Sequence, residues 1–314
     1  MTHGLSPMPE PPFARRQVAF LIVGLARAGT TLSQRLAAEV DGVWVPRETH
    51  FWSRYLHSDD RFASRHVTRR AVRELLSEMQ RPDEPIALTA DEGATVLARV
   101  APKGCTRWEL FANLVDSLSP DGPQTLGEKT PAHAGMATRL LAEQPALKVV
   151  AIVRDPRAIF ASMLSVPWGL RDSQRLAWRW RLIYERLLAD VDAFGRHRVM
   201  LVRYEDIVAD PAGYQADLAA FLDVPLQVSA MKDDELFLAA ETWKQRALEA
   251  PDANRIDAWR EHLAAVDVAL IERITAPVAT PLGYAPTNPA APHLSVDPAT
   301  FWRERQIAAM FDVG

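Results

Sequence analysis

The sequence predicts an α/β fold in which a parallel β-sheet is flanked by helices on both faces and carries a mainly helical insertion. Two observations lead to this prediction. Short continuous apolar runs are typical of strands buried on both faces, and the segments between them show the apolar spacing of helices. Strands that alternate with helices in this way form a parallel sheet with helical crossovers.

Five strands are predicted, and the apolar runs at 18–24 and 148–153 are the strongest indications. The predicted strands lie at residues 18–24, 43–46, 125–128, 148–153 and 198–203. Helices are predicted where apolar residues recur every three or four positions. They lie at residues 29–39, 60–80, 104–118, 133–143, 156–165, 172–194, 210–222 and 256–273.

The chain is predicted to hold one domain between two tails. Residues 1–14 are rich in proline and lack periodicity, which predicts a disordered N-terminal tail. Residues 15–284 are predicted to form the domain, with residues 52–122 as its mainly helical insertion. Residues 285–314 form a proline-containing tail with a short helix that begins at Pro298.

The first predicted strand runs into a glycine-rich turn. Residues 24–31, Gly-Leu-Ala-Arg-Ala-Gly-Thr-Thr, follow the apolar run, and a helical pattern begins at Leu32. Unpaired N–H groups and the positive end of the dipole at such a helix N-terminus bind anions. The spacing is that of a P-loop, GxxxxGK[ST], except that Thr30 replaces the lysine and Arg27 is the nearest cation. The sheet is therefore predicted to be P-loop-like but to bind a different ligand.

A second anion site is predicted about 120 residues later. The strand at 148–153 ends in Arg154, and Asp155 and Pro156 then suit the N-cap and the first position of a helix. Arg154 would emerge at the carboxyl edge of the sheet, where open α/β sheets bind ligands. Ser162 follows about two helical turns later and is predicted to face the same anion.

These two motifs, strand–GxxRxGTTL–helix and strand–RDPRxxxxS–helix, resemble those of the sulfotransferase superfamily, including its bacterial and Golgi-type members. Its members take a sulfuryl group from 3′-phosphoadenosine 5′-phosphosulfate (PAPS). The resemblance implies that Arg154 and Ser162 bind the 3′-phosphate of this co-substrate. It also implies that the first loop cradles the 5′-phosphosulfate, through Arg27, Ala28, Gly29, Thr30, Thr31 and Leu32.

Two further segments resemble catalytic elements of the same family. Residues 44–52, Trp-Val-Pro-Arg-Glu-Thr-His-Phe-Trp, are similar to the segment that supplies a catalytic glutamate, which here is Glu48. Residues 127–131, Gly-Glu-Lys-Thr-Pro, match a (D/E)KTP element whose lysine, Lys129, approaches the transferring group. The resemblance thus implies a carboxylate and a lysine close to the transferred sulfuryl group.

Two elements extend the resemblance towards the C-terminus. The predicted strand at 198–203 ends in an Arg-Tyr-Glu-Asp sequence that matches a structural strand of the family. Residues 254–263 resemble the element G-x-W-(K/R)-x-x-L but lack its glycine. Arg255 is assigned there as a further contact to the co-substrate.

Sulfuryl transfer sets the same physical demands as phosphoryl transfer: in-line geometry and stabilisation of charge on the leaving oxygen. Lys129 and Arg27 are the candidate cations. Glu48 is the candidate general base, with a pKa modestly raised by partial burial. His50 is the rival base, because side chains two residues apart in an extended segment face the same side. A purely structural role for His50 is the alternative.

The sequence therefore predicts a sulfotransferase that modifies a hydroxyl or amine of a carbohydrate, a glycolipid or a small natural product. The alternatives are a P-loop small-molecule kinase and a non-catalytic nucleotide-binding module. A kinase requires the loop lysine, which Thr30 replaces, and a metal-binding acid, for which Asp155 is poorly placed beside an arginine. A binding module would be expected to lack Glu48 or Lys129.

Composition and charge limit the partners, the metal sites and the cellular locations that are expected for this protein. A net charge of −4 argues against a nucleic-acid partner. Eight histidines without HxxxH or HExxH spacing and a single cysteine, Cys105, predict no metal site and no internal disulfide. The lone cysteine and the absence of a cleavable signal segment fit the cytoplasm. The apolar run at 18–26 is too short to cross a bilayer, so no transmembrane segment is predicted, and the oligomeric state is left open.

The predicted helix at 172–194 carries an arginine face. Arg171, Arg175 and Arg179 are spaced four residues apart and interleave with tryptophans. The face is either a docking surface for an acidic acceptor or the donor nucleotide, or a solvated surface above tryptophans buried in the core.

Overall fold

The computed structural model describes residues 17–56, 66–120, 125–229, 244–245, 249–287 and 297–310. The predicted N-terminal tail at 1–14 lies outside these residues. So do residues 57–65, which include the start of the helix predicted at 60–80.

A five-stranded parallel sheet forms the centre of the protein. Its strands are β1 (Val18–Gly24), β2 (Val43–Trp44), β5 (Thr125–Lys129), β6 (Lys148–Val153) and β7 (Val199–Arg203). They lie in the order β2-β5-β1-β6-β7, and each neighbouring pair is parallel. Two short strands, β3 (His66–Val67) and β4 (Cys105–Thr106), pair antiparallel apart from this sheet. All five predicted strands are confirmed, although the second ends two residues earlier than expected.

The central strand β1 is buried along nearly its whole length, which explains its continuous apolar sequence. Gly24 ends the strand where the neighbouring backbone comes close. A Cβ atom at Gly24 would lie 2.5 Å from the carbonyl oxygen of Ile152 on β6. Only glycine fits at this approach, so the turn into the next helix can begin at the sheet edge.

Helices cover both faces of the sheet. The α-helices are α1 (Thr30–Ala38), α2 (Arg69–Met79), α3 (Ala90–Arg99), α4 (Arg107–Ser117), α5 (Ala137–Glu143), α6 (Pro156–Leu164), α7 (Ser173–Phe194), α8 (Tyr204–Ala209), α9 (Pro211–Leu222), α10 (Asn254–Asp257), α11 (Trp259–His262), α12 (Ala265–Ala279) and α13 (Pro298–Met310). A π-helix at Phe51–Tyr55 and a 3-10 helix at Pro131–Met136 lie beside the sheet edge. In the described part of the chain, no helix is both long and apolar enough to cross a bilayer.

The insertion differs from the prediction in two places. Residues 66–67, expected in a helix, form β3, which pairs with β4. The helix α3 was not predicted, yet its N-terminus carries a capping box in which Thr89 and Glu92 satisfy each other's backbone N–H groups.

Outside the insertion, the helix predicted at 256–273 is interrupted, because α10, α11 and α12 are separate elements.

The long helix α7 packs against the sheet, at β7, and against several other helices. Trp180 and Tyr184 are fully buried on it, and α5, α6, α12 and α13 pack around it. The Tyr184 hydroxyl donates to the carbonyl of Ile152 at 2.7 Å and accepts the N–H of Leu25 at 3.2 Å. This tyrosine therefore fixes the ends of β1 and β6 against each other.

The arginine face on α7 contacts other parts of the same chain. Arg175 and Arg179 both pair with Glu304 of α13, whose side chain is fully buried. Arg171 instead donates to the carbonyl groups of Leu164 and Val166. Two of the arginines thus hold a C-terminal helix, which neither interpretation predicted, whereas the burial of Trp180 in the core agrees with the second interpretation.

Candidate active site

Three adjacent strands bring the predicted motifs to one edge of the sheet. Because β1 lies between β5 and β6 and all three are parallel, their carboxyl ends meet. Lys129 ends β5, the glycine-rich turn follows β1, and Arg154 follows β6. This arrangement positions a lysine, a helix N-terminus and an arginine around one opening.

The turn after β1 has left-handed backbone at Arg27 and Gly29. Gly29 adopts a φ of 100°, and a Cβ atom there would lie 2.2 Å from the ring of Tyr204. Arg27 also has a positive φ, of 71°. No side chain in the described structure caps the N-terminus of α1, which begins at Thr30. The first N–H groups of α1 are therefore available to an anionic ligand.

The structure brings together the arginines and the serine assigned to the co-substrate. Arg27 Nε donates to Ser162 Oγ at 3.0 Å. Arg154 donates through Nη1 to the carbonyl oxygen of Arg27 at 3.1 Å and through Nη2 to that of Arg255 at 3.3 Å. Its guanidinium lies over the ring of Tyr204, 4.2 Å from the centroid. All the assigned cations except Lys129 thus meet at one place.

The Arg154 guanidinium is a buried cation whose contacts are neutral groups. The residue is 6% exposed, and its Nε has no hydrogen-bond partner among the described residues. Burial lowers the pKa of Arg154, against the raising effect of Tyr204 and Glu205. A buried guanidinium held by carbonyls and a ring is suited to an anion supplied from outside the chain.

The glutamate segment is held against the other side of the same opening. Gln34 of α1 donates to the carbonyls of Val45 and Pro46, at 3.1 and 2.8 Å. Arg47 forms a bidentate ion pair with Glu92 of α3. Arg47 is thus engaged elsewhere, and the carboxylate that follows it in sequence is left for the site.

Glu48 stands at the centre of a cluster of three basic side chains. Its Oε1 pairs with Lys129 and, at 2.7 Å, with Lys244, and its Oε2 lies 3.3 Å from His50 Nε2. Lys129 is fully buried and also donates to Thr31 Oγ1 at 3.4 Å. The glutamate and the lysine assigned to catalysis are therefore in direct contact.

The pKa of Glu48 differs from the expectation. Burial alone would raise this pKa, but the two lysines, with a smaller effect from His50, outweigh it and hold the pKa of Glu48 well below its ordinary value. The expected modest rise is wrong, because sequence analysis did not place two lysines on the same carboxylate. With these contacts Glu48 is ionised but a weak base.

His50 is close to Glu48 for a reason other than the one expected. Its φ is 51°, so the backbone is left-handed rather than extended at this residue. Burial lowers the pKa of His50, although Glu48 opposes the shift. The imidazole is thus neutral at neutral pH, next to the carboxylate.

Sequence analysis missed two residues of this site. Lys244 is isolated from every motif, and no sequence pattern pointed to it. Tyr204 was noted only as part of a structural strand end, although its ring contacts both Gly29 and Arg154. An aromatic residue directly after a buried strand at the carboxyl edge was the available signal.

A cavity of about 1180 Å³ joins these groups. Its lining includes residues of the glycine-rich turn together with Arg154 and Arg255. Glu48, His50 and Lys244 also line it. The residues of its apolar wall include Pro82, Pro85, Ala87, Pro131, Ala132 and Trp168. Among the residues that the structure describes, no group of three or more His, Cys, Asp or Glu is placed to hold a metal ion.

A model of the sulfotransferase family matches residues 19–228 of the 314. The chain belongs to the sulfotransferase family. The matched region of this sulfotransferase begins in β1, ends after α9 and contains Glu48, Lys129 and Arg154. Arg255 and Lys244 lie beyond it. The enzyme class and the P-loop-like fold predicted from the sequence are confirmed.

Solved structures share the fold at low sequence identity. The sulfotransferase domain from the curacin biosynthetic pathway is 18% identical, with a TM-score of 0.57, over 87% of this chain and 99% of that one. The sulfotransferase domain of the Synechococcus PCC 7002 olefin synthase is 19% identical, with a TM-score of 0.55, over 84% and 96%. A mouse sulfotransferase solved with PAP (adenosine 3′,5′-bisphosphate) is 10% identical, with a TM-score of 0.43, over 85% of this chain and 86% of that one. A search of the curated proteins found no match.

Proposed function

We propose that this sulfotransferase moves a sulfuryl group from PAPS to a hydroxyl or amine of an acceptor, with Glu48 as general base. The observation that carries the proposal is one cavity whose wall carries both an arginine cluster and Glu48, the partner of the buried Lys129. The cluster supports binding of a doubly anionic nucleotide, and the pair supplies a base and a cation for in-line transfer.

The donor end of the cavity fits the two anionic groups of PAPS. The free N–H groups at the start of α1 suit the 5′-phosphosulfate, with Arg27 close by. Arg154 and Ser162 suit the 3′-phosphate, because the buried guanidinium has only neutral contacts in the described structure. Arg255 lines the same end.

Lys129 links donor binding to the strength of the base. This ammonium pairs with Glu48 and lowers its pKa. An anionic sulfuryl donor competes with Glu48 for the same ammonium. Engagement of Lys129 by the donor would raise the pKa of Glu48, so the carboxylate becomes a stronger base when the donor is bound.

The apolar wall of the cavity supports an acceptor with an apolar body. Pro82, Pro85 and Ala87 come from the insertion, and Pro131 and Ala132 follow Lys129 and Thr130. Such a wall stabilises apolar groups by removing them from water. Of the predicted acceptors, a small natural product or the lipid part of a glycolipid fits this apolar wall better than a free carbohydrate.

The cytoplasmic location and the domain bounds predicted from the sequence stay predictions.

A transfer assay with PAPS labelled on its sulfuryl group tests the function. The purified protein is incubated with this donor and with two alcohols of similar size, 2-naphthalenemethanol and methyl glucoside. We expect label to enter an alcohol, with Glu48→Gln as the inactive control, and preferentially 2-naphthalenemethanol. No transfer to any hydroxyl or amine acceptor, together with phosphoryl transfer from ATP–Mg²⁺, would contradict the proposal.

A further inference from the structure

A buried carboxylate next to Lys129 has no place in the mechanism above. Glu128 is completely buried on β5, and its carboxylate accepts four hydrogen bonds. Two come from Thr49, through N–H at 3.1 Å and Oγ1 at 2.8 Å. The others come from Thr130 Oγ1 at 2.6 Å and His133 Nδ1 at 2.9 Å. A buried charge is tolerated only with such a set of donors.

The hydrogen bonds of His133 define its tautomer. The backbone N–H of Trp52 donates to His133 Nε2 at 3.2 Å, so Nε2 carries no proton. The ring proton therefore lies on Nδ1 and is donated to Glu128. The imidazole is also fully buried and meets the ring of Phe111 edge-on. His133 thus links Glu128 to the π-helix that follows the glutamate segment.

The hydrogen bonds to Glu128 connect the segment that carries Glu48 to the strand that carries Lys129. Thr49 directly follows Glu48, and Glu128 directly precedes Lys129. Thr130 Oγ1 also accepts the N–H of His50 at 3.1 Å. The segment that carries Glu48 is thereby held to the end of the strand that carries Lys129.

We propose that Glu128, with Thr49, Thr130 and His133, is a positioning network that holds Glu48 against Lys129 in the geometry required for transfer. The inference rests on the proposed function, because it assigns the network a role through Glu48. Of these four residues only Thr130 lines the cavity, and none of them is assigned to contact the transferred group. A misplacement of about 1 Å is enough to cost roughly 100-fold in rate, so such a network can control turnover.

Thr49 offers a matched pair of variants that separates positioning from packing. Thr49→Val keeps the volume of this buried side chain but removes the hydroxyl that donates to Glu128. Thr49→Ser keeps the hydroxyl. We expect Thr49→Val to lower kcat roughly 10- to 100-fold, with KM for PAPS and affinity for PAP unchanged. Thr49→Ser should retain activity close to that of the wild type.

The pH profile supplies a readout that packing alone would not move. Glu48 is faced by Lys129, Lys244 and His50, and a looser contact with Lys129 raises the pKa of Glu48. The acid limb of kcat/KM in Thr49→Val should therefore shift to higher pH, and that of Thr49→Ser should not. Equal kcat and equal acid limbs in the two folded variants would overturn the proposal.

A second pair keeps the test decisive if Thr49→Val fails to fold. Thr130→Val and Thr130→Ser are compared in the same way, because Thr130 Oγ1 joins Glu128 to the N–H of His50. Failure of the proposed function would show differently, as full activity in Glu48→Gln. Loss of activity in Glu48→Gln with no difference within either threonine pair would refute the network alone.

Discussion

At the residue scale, the contacts of Glu48 fix the position of its carboxylate and set its pKa. Lys129 and Lys244 both pair with its Oε1 and keep it ionised. Loss of either lysine contact would raise the pKa of Glu48. Under the proposed function, the donor would compete with Glu48 for Lys129, so donor binding would strengthen the base.

Replacement of the base tests its role directly. Glu48→Gln should lower kcat roughly 100-fold or more, as expected for loss of a general base. Affinity for PAP should remain intact, because the arginine cluster is unchanged. Turnover is measured with labelled PAPS beside a His50→Gln control. Unchanged turnover in Glu48→Gln, with loss in His50→Gln, would assign the base to His50 instead.

Lys244 should set part of the pH dependence. Its ammonium lowers the pKa of Glu48, so Lys244→Met should raise that pKa. Glu48 would then become protonated at a higher pH as the solution is acidified. We expect the acid limb of kcat/KM to move to higher pH in Lys244→Met. An acid limb that stays in place would show that Lys244 does not act on the titrating group.

Arg154 should discriminate between nucleotides with and without a 3′-phosphate. Arg154→Ala removes a buried charged donor, which is worth about 1.5–3 kcal/mol per hydrogen bond, or roughly 10- to 100-fold in affinity. We expect this loss for PAP and little change for adenosine 5′-monophosphate, measured by calorimetry. The exposed Arg260 of α11 supplies the control variant Arg260→Ala. Equal losses for both nucleotides would contradict the assignment of Arg154 to the 3′-phosphate.

At the element scale, sequence patterns predicted the strands well and the connecting pieces poorly. Strands β1 and β6 are nearly continuous apolar runs, because both faces of the sheet are covered. The strand β5, Thr-Leu-Gly-Glu-Lys, is not, although it too is buried. Strands β3 and β4 have two residues each, which is too short for any period to be visible. Their pairing depends on tertiary contacts that lie far apart in sequence.

The helix α13 shows the same limit for side chains. The sequence indicated a helix from Pro298, and α13 begins there. Its partner on α7 was not predictable, because Glu304 lies 125 residues from Arg179. A buried ion pair between distant elements leaves no spacing signal within either element.

Removal of the Glu304 carboxylate should loosen α13 without affecting chemistry. Glu304→Ala leaves Arg175 and Arg179 without their shared partner, which should cost about 1–3 kcal/mol of unfolding free energy. A fall of several degrees in Tm by calorimetry, with kcat retained, is the expected result. The exposed Glu185 pairs with Arg181 at the helix surface, so Glu185→Ala is the control with little effect. An unchanged Tm in Glu304→Ala would show that the pair does not stabilise the docked helix.

At the scale of the whole molecule, the order of the strands creates the site. Lys129, the glycine-rich turn and Arg154 come from three motifs spread over more than 100 residues, and the sheet places them side by side. The edge was predictable because parallel strands share a carboxyl end. Lys244 and the Glu128 network were not, because the first lies outside any motif and the second depends on buried side-chain contacts.

The most direct test of the central claim is calorimetric titration of the protein with PAP, with ATP–Mg²⁺ as comparator. The structure places an arginine cluster, in which Arg154 is buried, beside a helix N-terminus, and this suits a nucleotide carrying two separate anionic groups. We expect PAP to bind in the micromolar range, about −8 kcal/mol, and ATP–Mg²⁺ not to bind. Binding of ATP–Mg²⁺ without binding of PAP would contradict the assignment of this sheet edge to PAPS.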